Sequence, residues 1–327
     1  MMSNLCQLTV QIRYININGF SWEQIIRDHL HKLKVFQLKM EIKIHDINNK
    51  EGEVDALIDS FRSQFWLEEH SWFVRCDWMP DKQYTYAILY TLPYVFNSFD
   101  FNVPILSKST YSHNTNHQSF NYVRNLHCNM VLTGELNLCH AQFHNIHYMS
   151  IKLPANNQFW SIVPRLEQLT SLNVLLDNGS DIGQSQLQSL LNRAPCLRSL
   201  RIKSCSSSTQ QVLLTGKSRN LSILRLFSQG YSLCFDNQAC AALSASSLGM
   251  QCEVLQIKVN YRADVIILIN GMAKLRALYV YCCDDKINEK LKATNDELIE
   301  WLQQRLPSTC TIIRDEHLFY IINIWIR

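Results

Sequence analysis

One spacing recurs along this chain and limits what it can fold into. In LRSLRIKSC (197–205), apolar residues stand at Leu197, Leu200 and Ile202, and Cys205 closes the segment. LRALYVYCC repeats the spacing at Leu275, Leu278, Val280 and Cys283, and LTSLNVLLD at Leu169, Leu172, Val174 and Asp177. CEVLQIKVN carries it at Cys252, Leu255, Ile257 and Asn260, and LSILRLFSQ at Leu221, Leu224 and Leu226. Weaker copies stand at Ile146, Met149 and Ile151, at Leu33, Phe36 and Leu38, and at Leu5, Leu8 and Val10. From residue 146 the copies return every 23 to 31 residues, close to the roughly 20–29 of leucine-rich repeats.

The spacing has a physical reading. Strand side chains alternate, so the two apolar residues of L-x-L point one way and the residue between them the other. The preceding leucine enters at the turn onto the strand. One such strand cannot bury its apolar face alone, but parallel stacking of neighbours buries them all. The expectation is α/β: a single leucine-rich-repeat-like solenoid over 1–327, with a parallel sheet on the concave face and helices on the convex face. Leu200, Ile202, Leu224, Leu226, Leu255, Ile257, Leu278 and Val280 should be buried. The closing Asn, Cys or Asp should satisfy backbone groups where the strand turns away.

Helical segments fall between the strands. SWEQIIRDHL (21–30), SQLQSLLNRAP (185–195) and TNDELIEWLQQRLP (294–307) each open with a capping-box spacing: Ser21 with Gln24, Ser185 with Gln188, Thr294 with Glu297. Val54, Leu57, Ile58, Phe61 and Phe65 follow a helical period. The segment 66–140 is less regular and aromatic-rich. WFVRCDW and YAILYTL read as strands there, in either degenerate repeats or an antiparallel insertion. LFYIINIWI (318–326) is far short of the roughly 20 residues of a membrane span and reads as a buried terminal strand.

The 327 residues are 47% hydrophobic and 18% charged, enough for a real core. A net charge of +3 without clustered basic residues does not suggest nucleic acid as a partner, and no membrane contact is expected. The start, MMSNLCQLTVQIRYI, lacks the pattern of a secretory leader, so the expected location is cytoplasmic or nuclear, with the 12 cysteines as reduced thiols. The sequons at Asn178 and Asn220 are then not expected to carry sugar. No G-x-x-x-x-G-K-[ST], G-x-G-x-x-G, G-x-S-x-G or H-E-x-x-H occurs. No catalytic residue, cofactor site or metal site is expected. The nearest metal-like cluster, Cys139, His140, His144 and His147 in CHAQFHNIH, reads as surface and packing residues, as do His113 and His117.

The segments SWEQIIRDHLHKLKVFQLKM, SFRSQFWLEEHSWFVRCDW, LYTLPYVF, HYMSIKLP, LTSLNVLL, CEVLQIKV and DELIEWLQQRLPSTCTI together resemble the repeat region of F-box-type leucine-rich-repeat proteins. The resemblance covers most of the chain. It implies a ubiquitin-ligase substrate receptor, in which an F-box docks on the ligase adaptor and the repeats hold a target. No L-P-x-E-L-type F-box stands before the repeats, so these residues alone are not expected to bind the adaptor. The reading is a non-catalytic interaction scaffold. Its alternatives are a structural repeat protein with no ligase role, or a cryptic metal protein or enzyme. The partner would meet the outward residues of the strands: Lys39 beside Gln37, Lys152 beside Ser150, Asn173 with Leu175, Arg201 with Lys203, Arg225 with Phe227, Lys258 beside Gln256, and Tyr279 with Tyr281. This stripe is basic in the middle and aromatic at its end, and contains no acidic residue. It suits an acidic or phosphorylated protein segment.

Overall fold

The computed structural model describes residues 4–79, 85–100, 106–111, 120–128, 142–176, 181–203, 210, 213–214, 216, 218, 220–228, 231–232, 234–285 and 296–327. It is a mixed α/β chain with two compact units: Met1–Leu126, Leu132–Asn145 and Asn156–Arg165 form the first, and His127–Val131, Ile146–Ala155 and Leu166–Arg327 the second.

In the first unit the order is β1 (Gln7–Arg13), α1 (Gly19–His29), β2 (Val35–Lys43), α2 (Lys50–Ser60), β3 (Phe73–Trp78), β4 (Tyr86–Leu92), β5 (Ser98–Asp100) and β6 (Leu106–Ser109). β7 (Asn125–Cys128) lies where the chain passes from one unit to the other, and α3 (Asn157–Ile162) belongs to the first. One sheet has the order β1-β2-β4-β3-β6. Its β1–β2 pair is parallel, with Leu8 opposite Phe36 and Val10 opposite Leu38, as two stacked repeat copies require. The other pairs are antiparallel. The parallel sheet expected from the repeats therefore does not continue through this unit. Only residues 79–85 link β3 to β4, whereas a parallel pair needs a crossover of about a dozen residues or more. Phe36, Leu38, Met40 and Ile42 of β2 are buried in one core with Trp22 and Ile26 of α1 and Val54 and Ile58 of α2. Phe36 packs its ring 5.2 Å from Trp22 and 5.8 Å from Trp66.

The second unit continues with β8 (Tyr148–Leu153), β9 (Ser171–Leu176), α4 (Asp181–Arg193), β10 (Ser199–Lys203), β11 (Ile223–Arg225), β12 (Phe227–Ser228), β13 (Tyr231–Ser232) and β14 (Cys234–Phe235). Then come α5 (Asn237–Ala245), α6 (Ser247–Gln251), β15 (Val254–Val259), α7 (Arg262–Gly271), β16 (Ala277–Cys282), α8 (Glu297–Gln303), β17 (Cys310–Arg314) and β18 (Ile322–Ile326). Its strands follow the order β8-β9-β10-β11-β15-β16-β18-β17. From β8 to β16 every neighbouring pair is parallel. The register sets Met149, Leu172, Leu200, Leu224, Leu255 and Leu278 side by side in one row. All six are buried, as are Ile202, Leu226, Ile257 and Val280.

Each junction repeats one hydrogen-bond pattern. The carbonyl of the residue after the first apolar position accepts two N–H groups from the next copy: His147 O from Thr170 and Ser171, Thr170 O from Arg198 and Ser199, Arg198 O from Ser222 and Ile223, Ser222 O from Glu253 and Val254, and Glu253 O from Arg276 and Ala277, all at 2.8–3.0 Å. The same fork occurs in the first unit, where Cys6 O accepts from Lys34 and Val35 and Asn97 O from Arg124 and Asn125. The second of these marks a copy the leucine spacing hid: Val123, Leu126 and Cys128, all buried, start 23 residues before Ile146. The aromatic-rich segment thus combines an antiparallel β3–β4 pair with a repeat-like turn.

The closing position works differently from expectation. Asn260 and Cys283 donate backbone N–H groups, to Phe235 O and Val259 O at 2.9 Å. Asp177 and Cys205 lie outside the described residues. β18 forms within the terminal apolar run, with Ile322 and Ile324 buried, but pairs antiparallel with β16. The caps also fall elsewhere. Asn18, not Ser21, caps α1 and accepts from Ser21 N–H. α4 begins four residues before Ser185, whose hydroxyl donates to Ile182 O instead. Asp296 caps α8, accepting from Ile299 N–H, while Thr294 lies outside the described residues. At α1 and α8 a polar side chain nearer the first turn reaches the orphan N–H groups.

Leu224 sits fully buried at the centre of the row, so Leu224→Ala should lower unfolding free energy by about 2–5 kcal/mol, measured by urea denaturation. Gly19 offers a sharper case. A Cβ there would lie 2.2 Å from Ser60 O, while Gly19 N–H already donates to Ser60 Oγ at 2.7 Å. Gly19→Ala should therefore destabilise the fold, whereas Ala at the exposed Phe20 position should leave the urea midpoint nearly unchanged.

Candidate functional site

The strands of the second unit turn their other face outward, and the parallel register lines up its residues. Ser150, Asn173, Arg201, Arg225, Gln256, Tyr279 and Asn323 form one continuous row across seven strands. One step along, Lys152, Leu175 and Lys203 are aligned, as are Lys258 and Tyr281. Burial alternates along β9, β10 and β15, so there the outward side chains are half-buried or exposed while their neighbours are in the core; Ser150 and Asn323, at the two ends of the row, are buried.

At the middle of the row two arginines are direct neighbours. Arg201 is exposed and Arg225 half-buried. Arg225 Nη1 donates to Ser199 Oγ at 2.9 Å, which braces the guanidinium against β10. Neither arginine has an acidic partner among the described residues. Burial pulls the Arg225 pKa down, the Arg201 charge lowers it further, and Tyr279 opposes both. Like charges directly opposite on neighbouring strands are destabilising, so this pair is not explained by stability. Two arginines in register on adjacent strands, without an acidic partner among the described residues, are the residue type that recognises a carboxylate or phosphate.

Other polar contacts flank the pair. Asn173 Nδ2 donates to Ser150 Oγ at 3.1 Å, and Asn323 Nδ2 to Asp315 Oδ2 at 3.1 Å. The side-chain oxygen Oδ1 of each asparagine is buried without a hydrogen-bond partner among the described residues. At the aromatic end, Lys258 Nζ lies 4.8 Å from the centre of the Tyr281 ring, and Tyr281 packs 5.7 Å from Tyr320.

Of the residues expected on the stripe, the structure brings together Lys152, Arg201, Lys203, Arg225, Lys258, Tyr279 and Tyr281. Two depart from it. Lys39 belongs to the sheet of the first unit and is 8% exposed, because β5 and the residues before it cover that side of β2: Tyr94 and Ser98 both bond its amine. Phe227 leaves the parallel ladder after Leu226 and pairs antiparallel with Ser232; its side chain lies outside the described residues. Asn173 lies on the row as expected, and Ser199 and Asn323, which the leucine spacing does not point to, lie on the same face. Cys139, His140, His113 and His117 lie outside the described residues. Among the described residues no group of three His, Cys, Asp or Glu side chains is placed to hold a metal, and no helix is long and apolar enough to cross a membrane.

Compared with protein-family models, curated proteins and solved structures, the chain matches none.

The repulsion between the two arginines gives a direct test of the site. Arg201→Gln should raise stability by about 0.2–0.5 kcal/mol at low ionic strength, and the gain should shrink in high salt. Urea unfolding at two salt concentrations measures both.

Proposed function

We propose that this protein is a non-catalytic interaction module. On this reading the second unit is a leucine-rich-repeat-type solenoid, and the outward face of its parallel sheet holds an acidic or phosphorylated segment of a protein partner. The observation that carries the reading is the Arg201–Arg225 pair, in register and without a carboxylate among the described residues. A bound phosphate or carboxylate would remove the repulsion and make charge-assisted hydrogen bonds. Tyr279 and Tyr281 supply a rigid aromatic flank of the type enriched at binding hot spots. The resemblance to F-box-type leucine-rich-repeat proteins supports the same role, since the repeats of such receptors hold the target. An intracellular location, cytoplasmic or nuclear, goes with this reading.

The test uses a peptide array in which a phosphoserine, or serine at the same position, is flanked by varied residues. Phosphorylated acidic peptides should bind preferentially, and binding should weaken as salt rises. The triple variant R201S/R225S/Y279S, with an unchanged circular dichroism spectrum, should lose at least tenfold in affinity for the selected peptides. Equal binding by the folded variant would remove this face as the site.

A further inference from the structure

The first unit contains a cavity of about 170 Å³ that the interaction reading does not use. It lies over the outward face of β2, β4 and β3, with Lys39, Glu41 and Asp77 from the sheet and Tyr94, Phe99 and Asp100 among its lining residues. A cavity of this size has room for roughly one six-membered ring and its substituents. Trp78, Tyr86 and Tyr90 complete an aromatic wall.

The charges in this lining are opposed but not matched to one another. Lys39 Nζ donates to Tyr94 Oη at 2.9 Å and to Ser98 O at 3.1 Å. Both acceptors are neutral, and an ammonium has three donors, so among the described residues one donor is unspent and the buried charge has no carboxylate bonded to it. Asp77 does not serve, because it is already committed. Arg75 Nε donates to its Oδ1 at 2.9 Å, Ser107 Oγ donates to the same oxygen, and Tyr90 Oη donates to its Oδ2 at 2.8 Å. The two remaining carboxylates stand toward solvent. Among the described residues Glu41 forms an ion pair only with Arg13, at 3.6 Å, a surface pair of small worth. Asp100 is exposed and has no hydrogen bond or ion pair among the described residues.

We infer that this cavity is a binding site for a small zwitterion of the α-amino-acid type, with its carboxylate on Lys39, its ammonium toward Asp100 and Glu41, and an apolar or aromatic body against Trp78, Tyr86 and Tyr94. A molecule with a carboxylate alone would gain Lys39 but face two carboxylates. One with an amine alone would gain the carboxylates but face Lys39. Only a ligand carrying both charges satisfies both ends of the lining. Burial pulls the Lys39 pKa down, against the opposing pull of Asp100, as befits an ammonium without a bonded carboxylate. This site is independent of the peptide-binding face.

The experiment titrates the full chain with the twenty L-amino acids by calorimetry up to millimolar concentration. The tightest is then compared with its decarboxylated amine and its deaminated acid. The amino acid should bind at least tenfold tighter than either analogue. Lys39→Met should lose at least tenfold for the amino acid and the acid, but not for the amine. It should also fold at least as stably as the parent, since an apolar side chain replaces a buried charge. Asp100→Asn, at an exposed position where folding is not at risk, should weaken the amino acid and the amine but not the acid. Absence of saturable binding by any amino acid would overturn the proposal. So would a singly charged analogue binding as tightly as its parent, or Asp100→Asn leaving amino-acid affinity unchanged.

Discussion

A carbonyl that accepts two N–H groups from the next copy is the joint on which the second unit depends. It recurs at His147, Thr170, Arg198, Ser222 and Glu253. Because the same residue of each copy supplies it, every strand enters the sheet at the same height. That fixes the register, and in a sheet a slip of one residue would turn each leucine outward and each polar residue inward. The buried row from Met149 to Leu278 and the polar row from Ser150 to Tyr279 are therefore two results of one backbone interaction.

Position 201 stands beside position 225 because of the ladder, whatever side chains are there. Placing arginine at both brings together two charges that repel, and the fold tolerates the repulsion because the leucines beneath contribute far more than the few tenths of a kcal/mol it costs. Ser199 then holds Arg225 in place. Stability comes from one side of the strand, so the outward residues, where we propose recognition, are free to vary without disturbing the core.

The first unit starts from the same joint, at Cys6, but departs from it after one parallel pair. β3 is buried on both faces over most of its length although one face carries Arg75 and Asp77, and the short link to β4 forces antiparallel pairing. The sheet then carries charged residues on its second face, at Lys39, Arg75 and Asp77, where β5 and the aromatic residues around it cover them. Arg75 and Asp77 neutralise one another at 2.9 Å with 6% exposure each. Lys39 has no such carboxylate among the described residues, and the cavity lies beside it.

The sequence by itself determined the spacing of the strands, the identity of the buried leucines and which residues of the second unit face outward, since a period of two and a repeat of 23 to 31 residues are local properties that stacking only amplifies. WFVRCDW and YAILYTL were legible as strands for the same reason. Their direction was not, because pairing depends on link length and partner rather than on the strand's own residues. Helix starts were misplaced by a few residues, since several side chains near each start compete to cap it and local geometry selects one. The copy at Val123 was hidden because cysteine stands where a leucine signals the strand. Lys39 fitted the outward pattern as well as Arg201 does, and only the tertiary structure could separate them. The sequence places a side chain on one face of a strand. Whether that face meets water, as at Arg201, or lies beneath Tyr94 and Ser98, as at Lys39, is decided by residues distant along the chain.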